Sequence, residues 1–498
     1  MDRQTPIFLN DENPGAPRYH EASDLFALFG YLKAQGFGVF SIRESFQAVG
    51  ERSDGTLQGF HMTLDEAYAC VGHIATLGVA VVELPAFPAN APGQAYNREL
   101  LRRAVADGLS VSFAAHARCA EADIRAATET GFTRLHLYIG TSKIKQATLR
   151  TSIGQFAAKA ADGIALARSL GATCVRISTE DAFRTTLEDY ETFYTLLHRS
   201  LTDRGISIDG VGIPDTVGLS TVDDLGERIA VLRKAGIDFT FLECHVHNDI
   251  GNADRVYVDS LLLCKKLGIT MLPDLSLLGI GERNGTIGLS SLLEAIYRRL
   301  ILLYPRKMQQ IRLAMRHELG ALADGRPFVN GYRDADNYFY RLLAKIGFVF
   351  DRSPFSANTE FDGSGVHADT TLRAYDLAAE RVGDTQAAID EGNSAYAGAL
   401  PPYDLPLRTP ALACFGCGKA NVRHWRERER LRLRPPFEIA ANLRGQQDID
   451  APTPDQLALE HAVDELVAQI IRCTGIRRDG ITHHEAMAIV RLCYSEPT

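Results

Sequence analysis

The chain has 498 residues, enough for a sizeable buried core and two to three folding units, and its 53 Lys plus Arg against 62 Asp plus Glu leave a formal net charge of -9. That balance excludes general attraction to nucleic-acid backbones or anionic lipid, so the expected partner is a small molecule. No apolar run approaches the roughly 20 residues that span a bilayer, and the opening MDRQTPIFLNDENPG lacks the charged-then-apolar order of a secretory signal. Nine scattered cysteines, an odd number, form no disulfide framework, and together these features predict a cytoplasmic protein.

Residues 1–36 read as an N-terminal helical extension around DLFALFGYLKAQ. From 37 to 305 short β-rich runs alternate with longer helical patterns, giving eight units. The strands are GVFSI, VAVVEL, SVSFAA, RLHLYI, TCVRIS, SIDGVGI, FTFLEC and ITMLPDL, beginning at 38, 79, 110, 134, 173, 207, 239 and 269. Several intervening patterns, such as ADIRAATETG and DDLGERIAVLRKAG, end on the glycine expected just past a helix. Eight βα units predict an α/β fold, a closed (β/α)8 TIM barrel whose site lies at the C-terminal strand ends, with an open doubly wound sheet as the alternative. Residues 306–400 read as a post-barrel linker subdomain, mostly helical. Residues 401–498 open on the Pro-rich PPYDLPLRTP and form a helical subdomain with two amphipathic helices between 453 and 496. Cys414 and Cys417 form a CxxC without a second ligand pair close by, so packing cysteines are expected there rather than zinc.

The polar residues at the strand ends carry the chemistry. HVHND at 245–249 ends the seventh strand, and alternation along a strand turns His245 and His247 to one side. SIRESFQ ends the first strand at the same rim with Arg43, Glu44 and Gln47. A carboxylate with two imidazoles is a common ligand set for a catalytic divalent metal, so Glu44, His245 and His247 are the expected ligands, against the plain reading of a polar strand end. Arg43 suits a clamp on a carboxylate. Glu83, His116, Arg118, Arg176, Ser178, Glu180, Asp215 and Thr216 end other strands, some as salt bridges of the barrel and some as substrate contacts.

SIRESFQ, RISTEDAFR, GIPDTVG, HVHNDIG and GIGERNG, at the ends of strands one, five, six, seven and eight, resemble the isopropylmalate synthase and homocitrate synthase family. The likeness continues to SGVHAD at 364–369 and FGCGKANVRHW at 415–425. The resemblance implies a Claisen condensation in which an acyl-CoA, usually acetyl-CoA, adds through its methyl carbon to a 2-oxo acid. A divalent metal (zinc, manganese or magnesium) assists, and a 2-hydroxy di- or tricarboxylate and CoA are released. It implies that Arg43 stabilises the developing alkoxide, that His367 supports proton abstraction with Glu180 as partner, and that Tyr396, with Tyr403 as rival, is the accompanying tyrosine. Gln47, Glu83, Arg118, Arg176, Ser178 and Thr216 are then expected at the 2-oxo acid, and Gly279, Gly281, Glu282 and Arg283 at the acyl-CoA. A homodimer is implied, with the post-barrel segment reaching the neighbour's site.

Arg176 stands where homocitrate synthases carry arginine, favouring an acceptor with a second anionic group: 2-oxoglutarate, oxaloacetate or phosphonopyruvate. Three departures qualify this. Ala120 replaces a histidine after Arg118–Cys119, Ser45–Phe46–Gln47 stand where Gly-Glu-Gln is common, and the helical C-terminal part implies no leucine effector site. The alternatives are a metal-dependent aldolase or lyase on the same barrel, such as a hydroxymethylglutaryl-CoA lyase, and a non-enzymatic barrel used for binding. The GIGERNG loop lacks the cysteine of such lyases, which favours condensation.

Overall fold

In the computed structural model, the described residues are 41–43, 47–52, 57–86, 91–303, 313, 340–341, 348–349, 361–362, 365–382, 384–396, 409–412, 417–434, 456–475 and 481–496. The expected N-terminal extension, Glu44, Tyr403 and Cys414 lie outside them.

All eight expected strands are present and close on themselves. They are β1 (Ser41–Arg43), β4 (Val81–Pro85), β5 (Ser112–Arg118), β6 (Arg134–Gly140), β7 (Cys174–Glu180), β8 (Gly210–Asp215), β9 (Phe241–Val246) and β10 (Met271–Leu275). The order β1-β10-β9-β8-β7-β6-β5-β4 is closed by β1 pairing in parallel with both β10 and β4. Closure removes the open-sheet alternative. The two strands between β1 and β4 were not foreseen: β2 (Gln47–Arg52) and β3 (Leu57–His61) form an antiparallel hairpin, and Gln47 begins this hairpin rather than extending the barrel rim.

Alternation along the strands decides what faces where. On β7, Val175 and Ile177 face the helical layer while Arg176, Ser178 and Glu180 turn inward. The outward residues pack with Ile42, Val82, Leu84, Leu135, Leu137, Val211, Ile213 and Leu242 against the helices in one continuous core. Each such side chain contributes roughly 1.5–3 kcal/mol when buried. The helices start on side-chain caps: Thr63, Ser152 and Thr221 form capping boxes before Leu64–Thr76, Ile153–Ser169 and Val222–Lys234.

Beyond the barrel, helices Gly365–Val382 and Thr385–Ser394 pack on each other, and Gln456–Gly475 and His483–Cys493 match the two amphipathic helices expected between 453 and 496. The latter pair builds a second core around Val467, Ile471, Met487, Val490 and Tyr494, into which Cys417 is packed as a free thiol.

Candidate active site

The C-terminal strand ends gather the residues expected there in three layers. At the rim, His245 Nε2 and His247 Nε2 converge to 3.2 Å, with their rings edge to face. The end of β9 is braced for this: Val246 N donates to Tyr257 Oη at 2.9 Å, Thr286 Oγ1 donates to Val246 O at 2.7 Å, and His247 N donates to Asp215 O at 3.0 Å. Burial drives both imidazoles well below their ordinary pKa; Arg43 adds to this at His245, and Arg283 at His247. Both are therefore neutral at pH 7, the form that binds a metal. A separation of 3.2 Å is what two nitrogens sharing one ion at roughly 2.0–2.1 Å each require. Asp274 Oδ2 lies 3.1 Å from His245 Nδ1, an outer carboxylate that turns the Nε2 lone pair toward such an ion. The imidazole pair thus fits the implied metal.

Beneath the rim lies an ion network that fills the barrel. Arg176, fully buried, binds Glu243, Glu83 Oε2 at 3.0 Å and, through Nη1, Ser178 Oγ at 2.9 Å. Arg43 binds Glu83 and reaches Asp274 Oδ2 at 2.7 Å and Glu243 Oε1 at 3.5 Å. His136 Nδ1 contacts Glu83 and lies 3.2 Å from Glu243 Oε2, while its Nε2 accepts from Arg134 at 3.0 Å. Burial would raise Glu83, but Arg43, His116, Arg176 and His136 hold it well below the carboxylate range; for Glu243 burial prevails and its pKa is raised. Glu83, His136 and Glu243 bring ligand atoms within 4.8 Å of one another, but the guanidiniums of Arg43 and Arg176 already pair with the two carboxylates, so we assign this group to the scaffold.

Above the rim, the post-barrel segment completes the site. Tyr396 Oη donates to Glu180 Oε1 at 2.8 Å, the His367 and Tyr396 rings stack at 4.0 Å, and His367 Nδ1 lies 3.4 Å from Glu282 Oε2. Burial would raise Glu180, but Lys145, His367 and hydrogen bonds from Tyr396 and Lys145 outweigh it and hold the carboxyl below its usual range. Tyr396 is set in place by Arg184, whose guanidinium donates to the carbonyls of Ser394 and Ala395, the latter at 2.6 Å, and to Asp181 Oδ1 at 2.8 Å. Within the chain this segment packs on its own barrel rim.

HVHND and GIGERNG clamp each other. Arg283, buried, donates to Asp249 Oδ2 at 3.1 Å and to Thr216 O, and Asn248 N donates to Gly285 O at 2.8 Å. Gly285 takes φ +67°, and a Cβ there would fall 1.9 Å from Gly279 O, so the loop closes only with glycine. Gly279 and Gly281 lie in this ring, beside Glu282.

The remaining expected residues are placed less directly at the rim. Thr216 Oγ1 accepts from Asp181 N at 2.9 Å, and Asp215 is a loop knot accepting from Ser220 N at 2.7 Å and Leu219 N at 3.0 Å. Arg118, half exposed, is held by Asp123 at 2.8 and 2.9 Å, and His116 stacks on Tyr138 at 4.3 Å. The side chain of Gln47 lies outside the described residues. Sequence reasoning passed over Glu243, Asp274, His136, Lys145 and Arg184. The first three had a signal, a carboxylate or imidazole inside an otherwise apolar strand. The last two had none, because their partners lie far along the chain.

A closed parallel barrel with a convergent imidazole pair at its C-terminal face, roofed by a carboxylate, a phenol and a third imidazole, defines a (β/α)8 protein with its site where such barrels carry their chemistry. The family model described as HMGL-like matches residues 50–316, more than half of the chain, and the chain belongs to that family. It is 34% identical over 208 residues (41% of this chain, 46% of the relative) to the mitochondrial homocitrate synthase of Schizosaccharomyces pombe. It is 34% identical over 187 residues (37% and 40%) to the cytosolic isozyme of homocitrate synthase from Saccharomyces cerevisiae. With the 2-isopropylmalate synthase of Thermosynechococcus vestitus the identity is 32% over 257 residues (50% and 45%). The chain thus spans less than half the length of these relatives. Among solved structures it is similar to the HMG-CoA lyase from Brucella melitensis, at 17% identity and a TM-score of 0.39, covering 56% of this chain and 99% of that one. No helix among the described residues is long and apolar enough to cross a membrane.

Proposed function

We propose that the protein is an acyl-CoA:2-oxo acid condensing enzyme that uses acetyl-CoA and releases a 2-hydroxy di- or tricarboxylate and CoA. The observation that carries this reading is the convergence of His245 and His247 beside the Glu180–Tyr396–His367 group. Glu44, His245 and His247 would hold a divalent ion, which when bound would offer a Lewis acid to the ketone of the 2-oxo acid. Arg43, a quarter exposed at the rim, keeps its charge against burial through Asp274, Glu83 and Glu243, and supports the charge that develops on the ketone oxygen during attack. His367, backed by Glu282 and stacked on Tyr396, takes the methyl proton of the thioester, and the resulting carbon nucleophile adds to the ketone carbon. Tyr396, hydrogen-bonded to Glu180, sits to return a proton to the new alkoxide, and water then cleaves the thioester, releasing CoA.

The acceptor in this reading carries a second anionic group: 2-oxoglutarate, oxaloacetate or phosphonopyruvate. Arg118 at the rim and Arg176 beneath Ser178 are the cations on the acceptor side, and binding there requires Arg176 to share its carboxylate partners with the substrate. Gln47, Glu83 and Thr216 complete that side, and Gly279, Gly281, Glu282 and Arg283 the acyl-CoA side. The reading includes a homodimer in the cytoplasm, checked by light scattering and by fractionation.

The decisive experiment is thiol trapping with acetyl-CoA and a panel of 2-oxo acids on protein loaded in turn with zinc, manganese and magnesium. Acceptor-dependent CoA release supports the proposal. Silence with every acceptor, together with cleavage of a hydroxyacyl-CoA, gives the lyase reading instead.

A further inference from the structure

Lys145 belongs to none of the motifs, yet it sits in the roof of the site. Strand β6 ends at Gly140, Ser142 caps the short helix Lys143–Leu149, and Lys145 lies on its first turn with only 5% of its surface exposed. Its stem lies against Gly140: a Cβ at that position would come within 2.7 Å of Lys145 Cγ. Its ammonium donates to Thr370 Oγ1 at 2.9 Å, lies 3.3 Å from Glu180 Oε1, and stands 5.1 Å from the centre of the Tyr396 ring. Thr370 is on helix Gly365–Val382, Glu180 is the last residue of β7, and Tyr396 follows helix Thr385–Ser394, so one cation touches three separate segments. Ile144, next to it, packs on Ala374, Ala395 and Tyr396, an apolar contact joining the same pieces.

We infer that Lys145 is a positioning residue that latches the post-barrel helices onto the barrel rim and, through that latch, holds Glu180 and Tyr396 in register with His367. A lysine suits the task because three ammonium hydrogens serve a hydroxyl, a carboxylate and a ring face at once. Burial makes each contact count, since a buried ammonium without partners is costly. The groups facing Glu180 are Lys145 from helix Lys143–Leu149, Tyr138 from β6, and His367 and Tyr396 from the post-barrel segment. Among them Lys145 does most to hold the carboxyl below its ordinary range, against burial. Losing the cation therefore undocks the helices and raises the pKa of Glu180 together.

The latch is tested by hydrogen exchange on the full chain, without reference to activity. Lys145→Met should speed exchange over residues 365–394 by at least about tenfold and leave the barrel helix Ala253–Lys266 at its wild-type rate. Lys145→Arg should restore most of the protection. Gly140→Ala, which pushes the stem aside with the charge kept, should loosen the same residues. Glu180→Gln should also loosen them, and Lys145→Met with Glu180→Gln should add little further, as expected for partners in one contact. Wild-type protection in Lys145→Met, equal loosening of Ala253–Lys266, or full additivity of the pair overturns the inference.

The kinetic arm rests on the condensing-enzyme reading. There the acidic limb of kcat should move to higher pH in Lys145→Met and return in Lys145→Arg, whereas a residue that merely packs would leave the limb in place. A wild-type chain inactive with every acceptor sinks the functional reading, and the exchange arm still decides the latch.

Discussion

Glu83 and Glu180 are both carboxylates of the barrel interior, held ionised against burial, but they keep different company. Glu83 is fully enclosed with Arg43, Arg176 and His136, all from barrel strands, and its pKa is driven far down by charges carried on the closed sheet itself. Glu180 stands one layer higher, where its partners Lys145, Tyr396 and His367 come from the short helix Lys143–Leu149 and from segments some two hundred residues away. Charges matched within the closed sheet hold shape first, and can meet a substrate only by sharing partners; charges matched across separable pieces depend on how those pieces dock. The imidazole pair lies between the two, tied down by Asp274 and turned toward the rim.

The largest expected effect tests that intermediate layer. His245→Ala or His247→Ala should abolish both stoichiometric metal, read by elemental analysis, and CoA release. Retention of full metal in both variants would show that the ion sits elsewhere. His367→Ala should lower turnover by about 10²–10⁴-fold with metal content unchanged, the size of a lost acid–base group, which separates the roof from the ligand layer.

Arg176→Ala addresses the scaffold. It leaves two carboxylates buried with reduced compensation and should cost about 3–5 kcal/mol in urea unfolding, whereas Tyr396→Phe at the rim should alter turnover and leave the unfolding midpoint within error. If Arg176→Ala unfolds like the wild type, the division between scaffold and site collapses.

Acid should act on the buried rings. Burial lowers His61 and His116 to about 4, with Arg43 adding to the effect at His116. Each ring takes up a proton near pH 6.5 when unfolded but only near pH 4 when folded, so the unfolded state binds more protons in between. Stability should therefore be full above about 6.5 and fall by up to about 3 kcal/mol per ring as the pH drops toward 4. His116→Asn should flatten part of that slope. The smallest effect is expected at the half-exposed Arg118–Asp123 pair, where Arg118→Ala should change stability by no more than about 1 kcal/mol while raising the KM of the acceptor.

Much of the barrel was legible because period-2 apolar runs, capping residues and terminal glycines are local signals, and all eight strands stand where those signals put them. The imidazole pair was legible for the same reason, since two residues apart on a strand means one side. The paired strands Gln47–Arg52 and Leu57–His61 were not, because they belong to a second sheet and carry no pattern separating them from a barrel loop.

By itself the sequence determined which residues form strands and which of their faces are polar, and through its family resemblance it raised the expectation that Glu180, His367 and Tyr396 act together. Tertiary structure alone decided that Arg176 lies sealed among carboxylates, that Asp274 backs His245, and that Lys145 meets Thr370 across 225 positions. The physical reason is that secondary structure follows from a residue's neighbours in the chain, whereas the company a charge keeps in low dielectric is set by which strands the closed barrel brings side by side.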